Sequence, residues 1–266
     1  MRFCKYHGCG NDFIITDYAD GGDYSALAQK WCDRKTGIGA DGFIAVRQNP
    51  LEMVFYNMDG SRAPMCGNGI RCFAAYCARK NIVDSDEFDV NTLAGVMKIK
   101  ITDRRDFSVR VDMGSPVFDN RAIAAADDEN CFGREISALG VTAKIYSFFM
   151  GTVHTVIFVD SVGSVSTEYA DAICNHSLFT EKTNVNFVKV VDDKTFDVAT
   201  YERGVGWTCA CGTGACAAFV AGRANGFCGD YVNVRLKYGT LKIEKKDKNI
   251  FMTGPASFVF EGETEV

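Results

Sequence analysis

The chain has 266 residues, 47% hydrophobic and 24% charged, with a formal net charge of −5. That length holds one large domain or two ordinary ones with ample core, and the composition excludes intrinsic disorder and fibrous repeats. The acidic balance, with no basic block, argues against nucleic-acid and anionic-membrane partners.

The first eight residues, Met1 to Gly8, contain no apolar stretch of signal-peptide type, so a cytoplasmic location is expected. The apolar windows 145–159 and 204–222 are too short or too rich in glycine and threonine for a membrane span. In chain order, strands are predicted over 13–17, 42–46 and 53–57, with a helix over 24–34 between the first two. A helix over 69–80 follows, opened by Cys-Gly-x-Gly, and then strands over 96–101 and 107–111. Met113-Gly114-Ser115-Pro116 reads as a crossover. The second half repeats the series: strands over 153–160, 185–190 and 197–202, helices over 166–175 and 214–225, then strands over 231–236 and 240–243. The expected fold is α+β, with two similar domains, much antiparallel sheet and one buried helix in each. The expected division is 1–114 and 115–255, with a final strand over 256–266 returning to the first domain.

The chain also repeats residue by residue. Cys66-Gly67-Asn68-Gly69 resembles Cys211-Gly212-Thr213-Gly214 at an offset of 211 − 66 = 145. Tyr56-Asn57 answers Tyr201-Glu202. Gly42–Val46 answers 186–190, and 13–17 answers 156–160. These pairs keep their order, and their offsets agree within two residues, as a duplicated domain requires.

Twelve cysteines in 266 residues fall below the roughly 8–10% that marks a disulfide scaffold. In a reducing compartment they are expected as thiols, most of them small buried hydrophobes. Cys66 and Cys211 fit that description individually, but their matched contexts favour a chemical role. A cysteine at a helix N-terminus sits in the positive end of the macrodipole, which stabilises the thiolate. The adjoining glycines admit close approach, and the first-turn amides can bind a carboxylate. Two such thiols, one from each domain on opposite sides of an interdomain cleft, suit inversion at a carbon α to a carboxylate. One thiol removes a proton from one face while the other supplies one to the opposite face.

Other motifs are weaker. Gly37-Ile38-Gly39-Ala40-Asp41-Gly42 matches a dinucleotide fingerprint, but it lies after a helix and before a strand, the reverse of the Rossmann order. Cys209, Cys211 and Cys216 form no C-x₂-C pair, and His7, His154 and His176 are the only histidines, so no metal site is expected. His154 fits a structural histidine as well as a site residue. Asn11 and Asn184 fit turn positions, and Arg203 a surface charge or an anion clamp. A thiol-redox or metal-storage protein would call for C-x-x-C pairs, which are absent, and would leave the duplication unexplained.

Taken together, these segments resemble the diaminopimelate epimerases of the cofactor-independent racemase superfamily. The resemblance rests on His7–Phe13, Gly37–Gly42, Asn57–Ser61, Met65–Cys72, Thr183–Phe187, Glu202–Gly204 and Ala210–Ala215. It implies two similar domains, each wrapping strands around a central helix, with the site between them. It further implies conversion of LL-diaminopimelate to meso-diaminopimelate, within lysine and peptidoglycan-precursor synthesis, without pyridoxal phosphate, metal or nucleotide. Cys66 and Cys211 become the acid–base pair. Gly67, Asn68, Gly212 and Thr213 become the amide donors to the reacting carboxylate. Asn11, Asn57, Asn184 and Arg203 become contacts to the amino and carboxylate groups of a small amino-acid substrate, and Glu202 and His154 the groups that orient or activate the thiols. Two departures mark specificity candidates: Thr152 replaces the asparagine of Met-Gly-Asn-Pro-His, and Trp207 stands where the family has glutamate. They keep open a racemase of another polar amino acid, such as histidine. Asn68, where proline racemases carry histidine, argues against that branch. The sequence leaves the oligomeric state open, a homodimer among the options.

Overall fold

A computed structural model describes residues 1–264. Residues 265 and 266, the end of the strand expected over 256–266, lie outside the described residues. The chain divides into two units, residues 1–112 with 253–266, and residues 113–252.

In the first unit, β1 (Arg2–Gly8) runs antiparallel to β2 (Asn11–Asp17), pairing Cys4 with Ile15 and Gly8 with Asn11. Helix α1 (Tyr24–Cys32) carries the chain over to β3 (Gly42–Arg47), which lies parallel to β2 with Phe13 opposite Gly42. The helix starts where Asp23 accepts from the Ala26 amide, an ordinary carboxylate N-cap. β4 (Glu52–Asn57) returns antiparallel to β3. Phe13, Ile14, Ile15, Phe43, Ile44 and Ala45 are all buried, as strands of a parallel pair covered on both faces must be. Helix α2 (Gly67–Arg79) follows, then the antiparallel meander β5 (Glu87–Thr92), β6 (Gly95–Asp103) and β7 (Ser108–Asp112).

The second unit opens on β8 (Phe132–Ala138) and then repeats this order. β9 (Val141–Phe149) pairs antiparallel with β10 (Val153–Phe158), and α3 (Thr167–Cys174) crosses to β11 (Asn184–Asp192), which is parallel to β10. β12 (Thr195–Glu202) returns antiparallel, the short β13 (Gly206–Thr208) folds against it, and α4 (Gly212–Ala224) follows. β14 (Tyr231–Leu236) and β15 (Gly239–Lys246) form a hairpin, and β16 (Asn249–Pro255) leads out of the unit. The closing strand β17 (Ser257–Glu263) pairs with β1, Arg2 opposite Glu263. The fold is therefore α+β, with the same strand–helix–strand–strand–helix plan in both units.

Every residue of α2 from Gly67 to Cys77 is buried, and α4 is buried almost throughout. Helices enclosed this fully are core elements, and burial outweighs the glycines at positions 67, 69, 212 and 214 that would otherwise delay the helix start. Both helices accordingly begin two residues earlier than the expected 69 and 214. Arg71 is fully buried in α2 and is satisfied there: Nη1 donates to Gly67 O at 2.9 Å, Nη2 to Asn68 Oδ1 at 3.0 Å and Nε to Pro255 O at 3.1 Å. Among the described residues, no helix is long and apolar enough to cross a membrane.

Strands β1, β5, β8 and β9 had no expectation in the sequence. β1 carries the buried Lys5, and β5 alternates Glu87, Asp89 and Asn91 with its apolar residues, so neither shows an apolar run. The segment 37–42 caps α1: the Ile38 and Gly39 amides donate to Trp31 O and the Ala40 amide to Cys32 O. A Cβ at Gly37 would collide with the Lys30, Trp31 and Asp33 carbonyls. These glycines serve a helix end rather than a phosphate.

A Cβ at Gly222 would be driven into the Phe196 ring, whereas one at Gly229 would meet open space. Gly222→Ala should therefore lose about 1–3 kcal/mol of stability through overpacking. Gly229→Ala should stay within about 0.5 kcal/mol of the parent in urea denaturation.

Candidate active site

Each unit carries a cysteine at the start of its buried helix. Cys66 is the N-cap of α2, with φ −134° and ψ 122°, and its sulfur accepts from the Gly69 amide at 3.4 Å. Cys211 is the N-cap of α4, with φ −119° and ψ 111°, and its sulfur accepts from the Gly214 amide at 3.3 Å. A sulfur replaces the usual hydroxyl or carboxylate cap in both, and the positive helix end together with the amide hydrogen bond favours the thiolate. Gly67, Asn68, Gly212 and Thr213 occupy the first helical turns, whose amides an α-helix does not itself satisfy. The glycine after each pair sits in a crowded place, and at position 214 space requires it. A Cβ at Gly214 would strike Asn186 Oδ1 and crowd Thr200 and Cys211, and one at Gly69 would press on the Cys66 Cβ at 3.2 Å.

In the first unit, Asn11 opens β2 beside Cys66. Its Oδ1 lies 3.7 Å from Cys66 Sγ and accepts from Asn68 Nδ2 at 3.1 Å. Asn57 closes β4, exposed, with Nδ2 donating to Ser61 Oγ at 2.9 Å.

In the second unit, Cys211 Sγ lies 3.4 Å from the Thr213 hydroxyl. Asn184 opens β11, and its Oδ1 accepts from the Arg203 amide at 2.9 Å. The Arg203 guanidinium donates to Glu181 O at 2.9 Å and to Thr152 Oγ1 at 3.2 Å. Thr152, one of the two departures from the family pattern, thus holds the arginine expected to clamp a carboxylate. Glu202 accepts from the Thr208 hydroxyl at 2.6 Å.

Trp207, the other departure from the family pattern, lies on β13. It pairs with Tyr201, stacks on Phe187 and donates from Nε1 to Thr167 Oγ1 at the start of α3. The period-two alternation of a strand decides this. Thr200 and Glu202 share one face of β12, while Tyr201 and its neighbour Trp207 take the other.

His154 is fully buried at the start of β10. Asn186 Nδ2 donates to the Thr155 carbonyl at 3.3 Å, which can only accept, so the amide nitrogen also faces His154 Nδ1 at 3.0 Å, while Thr200 Oγ1 donates to Asn186 Oδ1 at 3.0 Å. Nδ1 is therefore an acceptor, and the ring proton sits on Nε2, which has no hydrogen-bond partner among the described residues. Burial and then the Arg203 charge push its pKa down to about 3, against the opposing pull of the Asn186 hydrogen bond. A neutral imidazole in this tautomer acts as a hydrogen-bond donor at Nε2, not as a base.

Sequence reasoning did not place Asp41, Arg71, Asn186, Thr200 or Thr208 in the site. Asp41, Arg71 and Asn186 lie within segments that carried the resemblance, but their roles arise only when the elements pack together. Among the described residues, no three His, Cys, Asp or Glu side chains gather as metal ligands.

Solved structures sharing this fold include a Bacillus anthracis phenazine biosynthesis protein of the PhzF family, with a TM-score of 0.74 at 16% identity, covering 100% of this chain and 99% of that one. A probable proline racemase from Agrobacterium radiobacter gives a TM-score of 0.69 at 14% identity, covering 100% and 93%. The fold is thus one that carries racemases and related proteins. The family model for diaminopimelate epimerase matches residues 3–118 and 146–259. A diaminopimelate epimerase of Caldanaerobacter subterraneus is 44% identical over the whole of both chains, and one of Clostridium perfringens is 42% identical over 98% of each. This chain belongs to the diaminopimelate epimerase family.

The depressed value of His154 has a pH consequence. The unfolded chain takes up a proton near pH 6.5 and the native state only near 3, so native stability falls as pH drops below about 6.5. In an NMR titration the His154 Cε1–H resonance should stay constant from pH 5 to 9. A midpoint inside that range would contradict a buried, neutral ring.

Proposed function

We propose that this isomerase interconverts LL- and meso-diaminopimelate by moving one proton at an α-carbon, with Cys66 and Cys211 as the acid–base pair. The observation that carries the reading is the duplicated cap: in each unit a cysteine sulfur is the N-cap of a buried helix and accepts the amide three residues on. One sulfur, as thiolate, takes the α-proton. The electron pair left on carbon delocalises into the carboxylate, and the other sulfur, as thiol, delivers its proton to the opposite face. The enzyme then holds the complementary thiol–thiolate pair, and the reverse reaction exchanges the roles.

The reacting carboxylate is received by the amides of Gly67, Asn68, Gly212 and Thr213, whose fixed dipoles stabilise charge as it develops. Arg203, braced by Thr152 and Glu181, clamps the distal carboxylate, with Asn11, Asn57 and Asn184 on the remaining polar groups. His154 contributes its Nε2 proton as a hydrogen bond, and Glu202 is the carboxylate that orients the second thiol. The alternative of a racemase for another polar amino acid such as histidine is not supported. The family model and the relatives above are named for diaminopimelate epimerase, Thr152 is engaged with Arg203, and Trp207 faces α3.

Starting from one pure stereoisomer in D₂O and stopping early, the product should carry deuterium at the inverted carbon while remaining substrate keeps its proton. Cys66→Ser and Cys211→Ser should each lower kcat by roughly 10²–10⁴, because an alcohol is a far weaker acid and base than a thiol near neutral pH. Early deuterium in recovered substrate, or full activity in either variant, would remove these cysteines as the pair. A chiral assay across diaminopimelate isomers and common L-amino acids tests the substrate.

A further inference from the structure

The hydrogen bonds around Cys66 form a directed chain with a fixed charge at each end. At one end the buried Arg71 donates from Nη2 to Asn68 Oδ1 at 3.0 Å. Asn68 Nδ2 donates to Asn11 Oδ1 at 3.1 Å, and Asn11 Nδ2 donates to Asp41 Oδ2 at 2.7 Å. A carboxamide fits its site either way round by shape. A guanidinium only donates and a carboxylate only accepts, so these two ends leave one orientation for both amides. The Asn11 oxygen is therefore held toward Cys66 Sγ, at 3.7 Å.

Asp41 is itself fixed from several sides. Its Oδ1 accepts from Arg34 Nη2 at 2.7 Å, and its Oδ2 also accepts from the Asp12 amide at 3.1 Å. The Asp41 amide in turn donates to Asp12 Oδ1 at 3.1 Å. Arg34 bridges Asp12 and Asp41, and Lys5, buried on β1, donates to Gly39 O and pairs with Asp12 at 2.8 Å. Burial would raise the Asp12 carboxyl, but the hydrogen bonds from Arg34 and Lys5 outweigh it and hold it at about 2. This assembly occupies the end of the segment 37–42, which the site described above leaves without a role.

We propose that Asp41 is a positioning residue for the Cys66 thiol: its carboxylate locks the Asn11 amide with the oxygen facing Sγ, so that Asn11 accepts the thiol proton and favours the protonated form. The proposal rests on the reading of Cys66 as one of the acid–base pair. It gives that pair a built-in bias. At Cys66 the Gly69 amide and the helix end favour thiolate, and the Asn11 oxygen opposes them. At Cys211 the Gly214 amide likewise favours thiolate, and one further neighbouring group is the Thr213 hydroxyl, which donates as readily as it accepts. The ionisable groups packed about the chain include Arg71 and Cys72 on α2, Lys5 on β1, Cys9 between β1 and β2, Asp12 on β2, Cys32 at the end of α1, whose thiol burial raises, and Arg34 and Asp41 in the connection from α1 to β3. Burial raises the Cys9 and Cys72 thiols, keeping both protonated.

The test is the pH dependence of iodoacetamide alkylation at Cys66, followed by peptide mass spectrometry on the intact folded protein. In Asp41→Asn a single carboxamide oxygen must serve both Arg34 and Asn11, so the hold at the Asp41 end is lost; only the Asn68 amide still holds the Asn11 oxygen, and the fraction of Asn11 with its nitrogen turned to the sulfur rises. The alkylation midpoint should fall by roughly 0.5–1 pH unit, the scale of one hydrogen bond. In an Asn11→Ala background the same Asp41→Asn change should no longer move the midpoint. A shift that persists there would show that Asp41 acts through its charge alone and would overturn the proposal, as would an unmoved midpoint in the single variant. If Asp41→Asn does not fold, Arg34→Gln decides. Releasing Asp41 lowers the midpoint, whereas loss of a positive charge by itself raises it, and a rise overturns the proposal. Alkylation does not require turnover, so failure of the acid–base reading would appear separately, as an active Cys66→Ser enzyme.

Discussion

The structure depends on one contact made twice: a backbone amide donating to a cysteine sulfur at the mouth of a buried helix. The cap needs the sulfur at the N-cap position in extended backbone and the donor three residues later. It also leaves little room at the donor: a Cβ at Gly214 would strike Asn186, and one at Gly69 would be crowded by Cys66. Those demands explain why Gly69 and Gly214 are glycines with ordinary φ rather than turn residues, and why the helices begin at Gly67 and Gly212 despite their poor propensity. A helix start so rich in glycine would fray in water. Here the surrounding strands bury it, and tertiary packing supplies what local preference does not.

Each unit also carries a chain of hydrogen-bonded polar side chains, buried or half-buried. The first uses charged ends, Arg71 and Asp41, to order two asparagines. The second uses neutral links, Thr200 to Asn186 to His154. The duplication has kept the backbone plan while the supporting chemistry has diverged. Such chains are costly to bury unless every member is paired, and the buried His154 Nε2 is the one link whose partner the described residues do not provide. A substrate group is a natural acceptor for it.

Membership of the diaminopimelate epimerase family and the local geometry bear on different parts of the function. Family membership speaks to the reaction and its substrate. The geometry shows what the two departures from the family pattern touch. Thr152 becomes a brace for Arg203, and Trp207 becomes part of the packing between β12 and α3. Neither substitution then requires a different substrate.

The sequence alone determined the α+β plan, the duplication and the two cysteines. These are local or periodic signals: apolar runs of strand length, and a Cys-Gly-x-Gly motif recurring at a constant offset. It also pointed to Asn11, Asn184, Arg203 and His154 through the resemblance. Only the tertiary structure decided which atoms these residues present. The orientation of the Asn11 amide depends on Asp41, thirty positions away and brought beside it by the pairing of β2 with β3. The tautomer of His154 depends on Asn186, from the neighbouring strand β11, held by the Thr155 carbonyl. Strands with mixed polarity, β1 and β5 above all, escaped the sequence for the same reason. Lys5 reads as a surface charge until Asp12 and Gly39 surround it, because burial and pairing belong to neighbours that the linear chain does not show.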